Sequence, residues 1–268
     1  MMRPVHWLLA GTAMLALGGC ATRPSDPAAA AAYDETNDPL EPMNRKIFGF
    51  NLTADDYVLK PVAKGYRYVV PEYGRQRIRN VLDNAHEPVV AANSLLQGRI
   101  EDGLKSFWRF AFNSTVGLVG LYDVASGIGL PEKPADFGQT LYTWGLPDGP
   151  YLMLPILGPS NPRDAVGLGV DSYADPLGHF AGNNGYEAVN YARAGVDGVD
   201  LRERNIETLD DLRRNSLDFY AQLRSVFRQH RKAQLEGGQG GTNPFPTDDS
   251  LYTDPAATPA APTPTAPK

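Results

Sequence analysis

One residue in the chain is marked for covalent chemistry. Cys20 is the only cysteine among 268 residues, and it closes the segment Leu17-Gly18-Gly19-Cys20. A cysteine behind two small residues matches a bacterial lipobox, in which the thiol is acylated and becomes the mature N-terminus. The residues before it have the shape of a secretory signal. Arg3 supplies a positive start, and Trp7 to Leu17 is an uncharged, largely apolar run, too short to span a bilayer as a helix. The spacing predicts a signal peptide over 1–19 and a lipid on Cys20. Each buried methylene of such a lipid adds ~0.8 kcal/mol of membrane affinity, so several chains on one residue anchor stably. With one cysteine there is no intrachain disulfide, and the core must hold the fold.

The other residues that could do chemistry form no catalytic set. His86, His179 and His230 lie far apart in sequence, with no HExxH or Cys/His spacing for a metal. No GxSxG elbow is present, so a lipase would lack its nucleophile motif. Gly127-Ile128-Gly129 and Gly167-Leu168-Gly169 lack the third glycine and preceding strand of a nucleotide loop. Asp55-Asp56 and Asp210-Asp211 are adjacent acids, which on a helix point about 100° apart and so read as solvated. Asn51-Leu52-Thr53 and Asn113-Ser114-Thr115 match the glycosylation sequon, which carries little meaning in a bacterial lipoprotein. The expectation is a protein that is not an enzyme and needs no cofactor beyond the lipid on Cys20.

The net charge is −6. An acidic balance argues against nucleic acid as partner, because phosphate binding needs a basic footprint. It also argues against a polybasic grip on anionic lipid. Attachment must then come from the lipid and from apolar surface.

The elements that must position any site follow from periodicity. Residues 20–37, rich in Ala, Pro and Asp, read as a tether. Residues 236–268, rich in Gly, then Pro, Thr and Ala, read as a disordered tail. The folded part is 38–235. Asp38 is expected to cap a first helix, with Pro39 at its first position and Glu41 as the capping-box acid. Met43, Ile47, Phe50, Ala54 and Tyr57 share one face, and Pro61 should end or bend that helix. Tyr73 to Ala85 is a second amphipathic stretch, interrupted by Pro88. Ile100, Leu104, Phe107, Trp108 and Ala111 mark a third, most simply an ordinary core stripe. Asn161 and Pro162 should open a further helix, and Asp175-Pro176-Leu177 should break it. Tyr186 to Leu235 runs without proline along an apolar stripe of Val189, Ala192, Val196, Val199, Ile206 and Leu209. Seventeen of those fifty residues are charged, which points their faces into water. Strand signals are few, and the fold class is all-α.

The middle of the chain differs from both ends. Residues 110–162 carry five charges, Asp123, Glu132, Lys133, Asp136 and Asp148. Gly and Pro punctuate the blocks, so neither is a membrane-spanning helix. The Gly149–Pro159 segment is the most broken. Irregular backbone cannot face hydrocarbon unsatisfied, so it must pack on protein or line a wet cavity. The region is either buried core or partly sunk in lipid, and the lipobox favours lipid.

At Asp38-Pro39-Leu40-Glu41-Pro42-Met43-Asn44-Arg45 the chain resembles the MlaA (VacJ) family of outer-membrane lipoproteins. The likeness continues through Pro61-Val62-Ala63, Glu87-Pro88-Val89, Asn93-Ser94-Leu95-Leu96-Gln97-Gly98 and Arg109-Phe110-Ala111-Phe112-Asn113-Ser114-Thr115. Phe137-Gly138-Gln139-Thr140-Leu141 and the 149–164 segment also fit. The resemblance covers nearly all of 38–235 and excludes the proline-rich tail. It implies a ring-like bundle of amphipathic helices lying in the inner leaflet of the outer membrane, with a central amphipathic channel open to the periplasm. It implies removal of phospholipid from the outer leaflet, work beside trimeric porins, and transfer of lipid to a soluble periplasmic carrier of the MlaC kind. Ala21 after the cysteine is not Asp, which suits sorting to the outer membrane. By position, Ser126 to Phe137 matches the family's mobile loop, with Ser126, Gly127, Gly129, Pro131, Pro134 and Phe137 as its members.

Such a channel answers a physical need. A phospholipid head cannot cross hydrocarbon cheaply, because a buried charge needs partners. Polar groups along one wall lower that barrier without making or breaking a bond. The candidates for channel or lipid contact are Asn113, Ser114, Thr115, Asp123, Gln139, Tyr142, Leu152 and Leu154. Two other readings remain open here, a structural envelope lipoprotein that scaffolds porins and a periplasmic lipid hydrolase.

Overall fold

The computed structural model describes Asp26 and residues 38–237, and its helical body begins at Pro39. The predicted signal, Cys20, most of the tether and nearly all of the tail lie outside the described residues. Eleven α-helices are present among the described residues: α1 Glu41–Ala54, α2 Lys60–Val69, α3 Glu72–Leu96, α4 Ile100–Thr115, α5 Val124–Gly127, α6 Phe137–Thr143, α7 Pro162–Ala174, α8 Pro176–Asn183, α9 Glu187–Arg204, α10 Ile206–Asn215 and α11 Phe219–Leu235. A π-helical turn, Asp55–Leu59, joins α1 to α2. The fold is all-α except for one antiparallel hairpin, β1 Leu152–Leu154 and β2 Gly158–Ser160, in the register Leu152↔Ser160.

Several helix ends follow the sequence and several do not. Asn161 caps α7, accepting from the Asp164 N–H at 2.8 Å. Asp175 ends α7 and caps α8, accepting from the Leu177 N–H at 3.1 Å. The first helix departs from expectation. Leu40, not Asp38, holds the cap position, and its carbonyl accepts from Met43 and Asn44 at 2.9 Å. Glu41 pairs with Arg45 at 2.7 Å instead of reaching back. Pro61 does not end a helix. The ladder widens to a π turn just before it, so the missing N–H falls at the start of α2.

Pro88 does not interrupt either. It lies inside the 25-residue α3, where proline costs ~3 kcal/mol in isolation. The packing of α3 along α4, the most extensive helix–helix contact here, offsets that cost. The proline-free stretch 186–235 is three helices, parted at Asn205 and again at Ser216 to Asp218. Asn205 turns its side chain back onto the Leu201 carbonyl at 2.7 Å, and Asp218 caps α11 through the Ala221 N–H. The broken 149–160 segment is the hairpin. Asn44 holds it through the Tyr151 carbonyl and the Met153 N–H, and Asn51 through the Leu154 carbonyl and the Ile156 N–H.

The burial pattern is the central finding. Among the described residues twenty polar or charged side chains are buried, against thirteen apolar ones. One ordinary core exists, where Tyr151, Met153, Tyr220 and Leu223 meet Phe48, Leu212 and Phe227 of α1, α10 and α11. Elsewhere the arrangement is inverted. Ile100, Leu104, Phe107 and Trp108 of α4, expected in a core, are each at least half exposed. The buried side of α4 is Gly103, Ser106, Arg109 and Asn113. The charges of 186–235 turn inward in part: Asp200, Arg202, Glu203 and Arg231 are buried. The acid pairs are not merely solvated. Asp55 meets Arg202 at 2.6 Å, Asp56 meets Arg213 at 2.8 Å and Asp210 meets Lys60 at 2.7 Å, while Asp211 pairs with Arg214. No helix among the described residues is long and apolar enough to cross a membrane.

Candidate functional site

A cavity of about 850 Å³ lies within the helices. Its wall comes from α3, the loop before α6, the end of β2, and helices α7, α8, α9 and α11. Helical spacing aims the polar lining inward. Asp83, His86 and Glu87 fall at i, i+3 and i+4 on α3, and Asn190, Ala194, Asp197, Leu201 and Arg204 recur at three and four on α9. Apolar groups, Leu82, Val90, Leu168 and Phe227, complete an amphipathic wall.

One ionic knot closes the wall. Arg231 reaches from α11 to Asp136 at 2.7 Å and to Asp164 at 2.8 Å. Its guanidinium fits because residue 138 is glycine: a Cβ there would lie 2.4 Å from Asp164 Oδ1 and 2.7 Å from Arg231 Nη2. The same gap lets α7 approach α6, since a Cβ on Gly167 would meet the Gly138 nitrogen at 2.4 Å. Burial pushes the Asp136 carboxyl up, yet the Arg231 bonds hold it below the usual carboxylate range. Around this knot, Asn93 donates to Asp171 at 2.7 Å, Thr140 donates to Asn93 at 2.9 Å, and the Phe137 N–H donates to Asp171 at 2.9 Å.

A second knot braces α3 against α4. Glu87 pairs with Arg109, both nearly inaccessible to solvent. Arg109 also donates to Ser126 Oγ at 2.9 Å and to the Leu130 carbonyl at 2.7 Å. Burial raises the Glu87 carboxyl against the pull of Arg109.

The electrostatics of the open part are different. Burial, and then the charge of Glu132, push Asp83 up to about 7. Burial raises Asp197 as well, opposed by Arg204 and His86. The three histidines that lie far apart in sequence, His86, His179 and His230, all line this one cavity. Among the described residues no group of three His, Cys, Asp or Glu side chains is set to hold a metal. The two lining serines turn to backbone: Ser172 donates to the Leu168 carbonyl at 2.7 Å and Ser160 to the Asn161 carbonyl at 3.3 Å.

The residues singled out from sequence fall elsewhere. Asn113 is buried, donates to Asp123 at 3.0 Å and accepts from the Ala125 N–H at 2.9 Å. Ser114 accepts from Asn84 at 3.0 Å, and Thr115 donates to the Ala111 carbonyl at 2.7 Å. Asp123 caps α5. Gln139 is buried in α6, and Tyr142 lies 5.3 Å from the Arg163 guanidinium. Leu152 and Leu154 form β1. None of these eight is on the cavity wall, whereas Pro134 of the loop set is. Ser126, Gly127, Gly129, Pro131 and Phe137 flank it. The loop between them is tied by Arg109 at one end, Lys133 to Asp102 at 2.8 Å in the middle, and Asp136 at the other end. Sequence reasoning missed Asp83, His86, Asp171, Asp197 and Arg231. Only Asp83 and His86 share a helix, at i and i+3; Asp171, Asp197 and Arg231 come from three others, so no local pattern in the sequence joins the five.

The outer surface carries a matching apolar shell. The α4 stripe continues into Leu95 and Leu96 of α3 and into Trp144, whose indole donates to the Leu96 carbonyl at 3.2 Å. The turn after α4 presents Val116, Leu118, Val119, Leu121 and Tyr122 to solvent. Leu118 and Val119 sit at φ +54° and +59°, a conformation that costs a non-glycine residue ~1–3 kcal/mol. Asn80 and Arg77 hold the turn through the Leu121 carbonyl at 3.0 and 3.1 Å. The hairpin tip is similar: Ile156 has φ +68°, and it and Leu157 are about two-thirds exposed.

Comparison with known proteins agrees with this architecture. The family model described as MlaA lipoprotein matches residues 36–234. The chain is 31% identical over 252 residues to the intermembrane phospholipid transport system lipoprotein MlaA of Escherichia coli K12, covering 92% of this chain and 94% of that protein. It is 32% identical to the protein of the same name from Haemophilus influenzae, over 84% and 88% of the two chains. An uncharacterised Rickettsia felis protein is 36% identical over 75% of this chain and 79% of its own. A solved structure from work on the "Structural basis for maintenance of bacterial outer membrane lipid asymmetry" superposes with TM-score 0.66 at 33% identity, over 74% of this chain and 98% of that one. The inverted burial, the open amphipathic cavity and these matches lead to one identification: this chain belongs to the MlaA lipoprotein family.

Proposed function

We propose that this chain is a lipid-anchored outer-membrane protein that removes mislocalised phospholipid from the outer leaflet. Lipid passes through the amphipathic cavity to a soluble periplasmic carrier, and outer-membrane lipid asymmetry is maintained. The observation that carries the reading is the inversion itself. An apolar shell outside suits hydrocarbon, and the polar side of an amphipathic, water-accessible cavity gives a charged head group partners along its way. The names of the Escherichia coli and Haemophilus influenzae relatives support the same reading. Cys20 supplies the anchor, porin trimers the setting, and the 126–137 loop a movable side of the path. The eight residues from Asn113 to Leu154 chosen from sequence act by bracing the wall and its shell, as Asn113 and Asp123 do around Arg109.

The test is genetic and chemical. A strain lacking the chain is expected to expose excess phospholipid to a membrane-impermeant surface label, and the wild-type gene to reverse it. Equal labelling of deletion and parent strains contradicts the proposal. Cys20→Ala is expected to leave the protein out of the membrane fraction and unable to complement.

A further inference from the structure

We infer that the cavity selects lipid by head group, favouring one that carries a primary ammonium, as ethanolamine lipids do, over an anionic lipid with a neutral glycerol head. The inference rests on the transport reading and adds the substrate class to it. The arginines on the wall are already engaged. Arg231 is held by Asp136 and Asp164, Arg193 by Asp175 at 2.8 Å, and Arg204 by Asp200 at 3.1 Å. Three carboxylates remain without an ion pair or hydrogen bond to any described residue: Asp83 on α3, Glu132 on the loop and Asp197 on α9. They come from three separate elements, and Asp83 is repelled by both Glu132 and Asp197; the opposing groups nearby are Arg204, His86 and Arg193, and both arginines are already paired with other acids.

A separate observation points to a missing donor. Glu87 is 2% exposed and on the same wall; Arg109 and the Ser106 hydroxyl serve its carboxylate, yet its Oε2 keeps no hydrogen-bond partner of ordinary length among the described residues. A buried acceptor left unmade is costly, and a charge-assisted N–H donor is its strongest remedy. A primary ammonium brings three such donors. The phosphodiester is common to ethanolamine and glycerol lipids and cancels in the comparison. What remains is a cation meeting unpaired carboxylates, against a neutral diol meeting them.

The test uses the full chain at pH 8, where Asp83 is ionised, in vesicles of equal parts phosphatidylethanolamine and phosphatidylglycerol. A photoreactive side chain at Ala194, on the cavity wall, captures the occupant. The same group at Val119, on the apolar shell, captures surrounding lipid. Mass spectrometry of the cross-linked lipid gives the head-group ratio at each place. The ethanolamine lipid is expected to be enriched about tenfold at Ala194 relative to Val119, a difference of ~1.4 kcal/mol. Asp83→Asn with Asp197→Asn should bring the two positions together, and Glu132→Gln should move them part of the way. None of these three side chains holds another, so the fold is expected to survive, and capture at Val119 checks that it has. Equal ratios at Ala194 and Val119 in the wild type overturn the inference and leave transport standing, as does enrichment that the double variant does not change. Lipid captured at Val119 but none at Ala194 overturns both.

Discussion

Two parts of the molecule solve the burial problem in opposite ways. Where α1, the hairpin, α10 and α11 meet, aromatic and aliphatic groups are inside: Tyr151 and Tyr220 pack edge to face at 6.0 Å, over Met153 and Leu223. Where α3 lies on α4, the inside holds Glu87–Arg109, Asn84–Ser114 and Asn113–Asp123 beside Val89, Val90 and Ala91 of α3, and the large aliphatic and aromatic groups of α4 face out. The first region is built as a water-soluble protein is. The second has the order expected beside lipid, where apolar groups gain nothing by leaving the solvent and polar groups must find one another. Both are helical and both are amphipathic, so the comparison teaches that amphipathicity locates two faces without saying which one is covered.

The largest effect should come from the inverted region. Arg109→Leu strands Glu87 and removes the ties to Ser126 and Leu130, and is expected to cost about 3–5 kcal/mol of unfolding free energy in detergent. Pairing it with Glu87→Gln should recover part of that loss. Next is the ordinary core. Leu223→Ala should cost about 2–5 kcal/mol by emptying a filled site, with the same penalty in detergent and in lipid. If Arg109→Leu were the milder of the two, the distinction between the regions would fail.

The shell should behave differently again. Phe107→Ser and Trp108→Gln are expected to change stability in detergent by no more than about 0.5 kcal/mol. Each should weaken partition into vesicles, by up to ~1.5–3 kcal/mol for a side chain that leaves hydrocarbon completely. A charge at Val119 should harm complementation more than one at the exposed Asn215 on α10, and equal tolerance would remove the asymmetry between the regions. The smallest effect is a pH dependence. The Asp83 pKa is raised in the fold to about 7, first by burial and then by Glu132. The folded state therefore holds a proton that the unfolded state has lost, so stability from this group is present at acid pH and lost as pH rises toward 7. Asp83→Asn should flatten that slope in a series of unfolding curves between pH 4 and pH 8.

How much could be read from sequence follows from the same contrast. The helices over 41–54, 100–115 and 162–174 were legible, because caps and apolar periodicity are local signals. Asn161 caps as expected, and the Asp175-Pro176-Leu177 break falls where expected, with Asp175 also capping the next helix. The orientation of α4 was not legible, because Phe107 and Trp108 carry the same pattern toward a core as toward lipid. The histidines read as scattered, since their meeting depends on three helices converging. Pro88 read as a stop, since only the tertiary contact of α3 with α4 outweighs its local cost. The breaks at Asn205 and Ser216 have no proline or glycine to announce them. Family resemblance supplied the ring and its channel, which no single periodic stretch contains.

The account stands or falls on which solvent touches α4. Trp108 made the only tryptophan, through Trp7→Phe and Trp144→Phe, reports this directly in vesicles. The account predicts strong quenching by lipids brominated in the acyl chain and little by aqueous iodide. Free access to iodide with no effect of the brominated chains would contradict it.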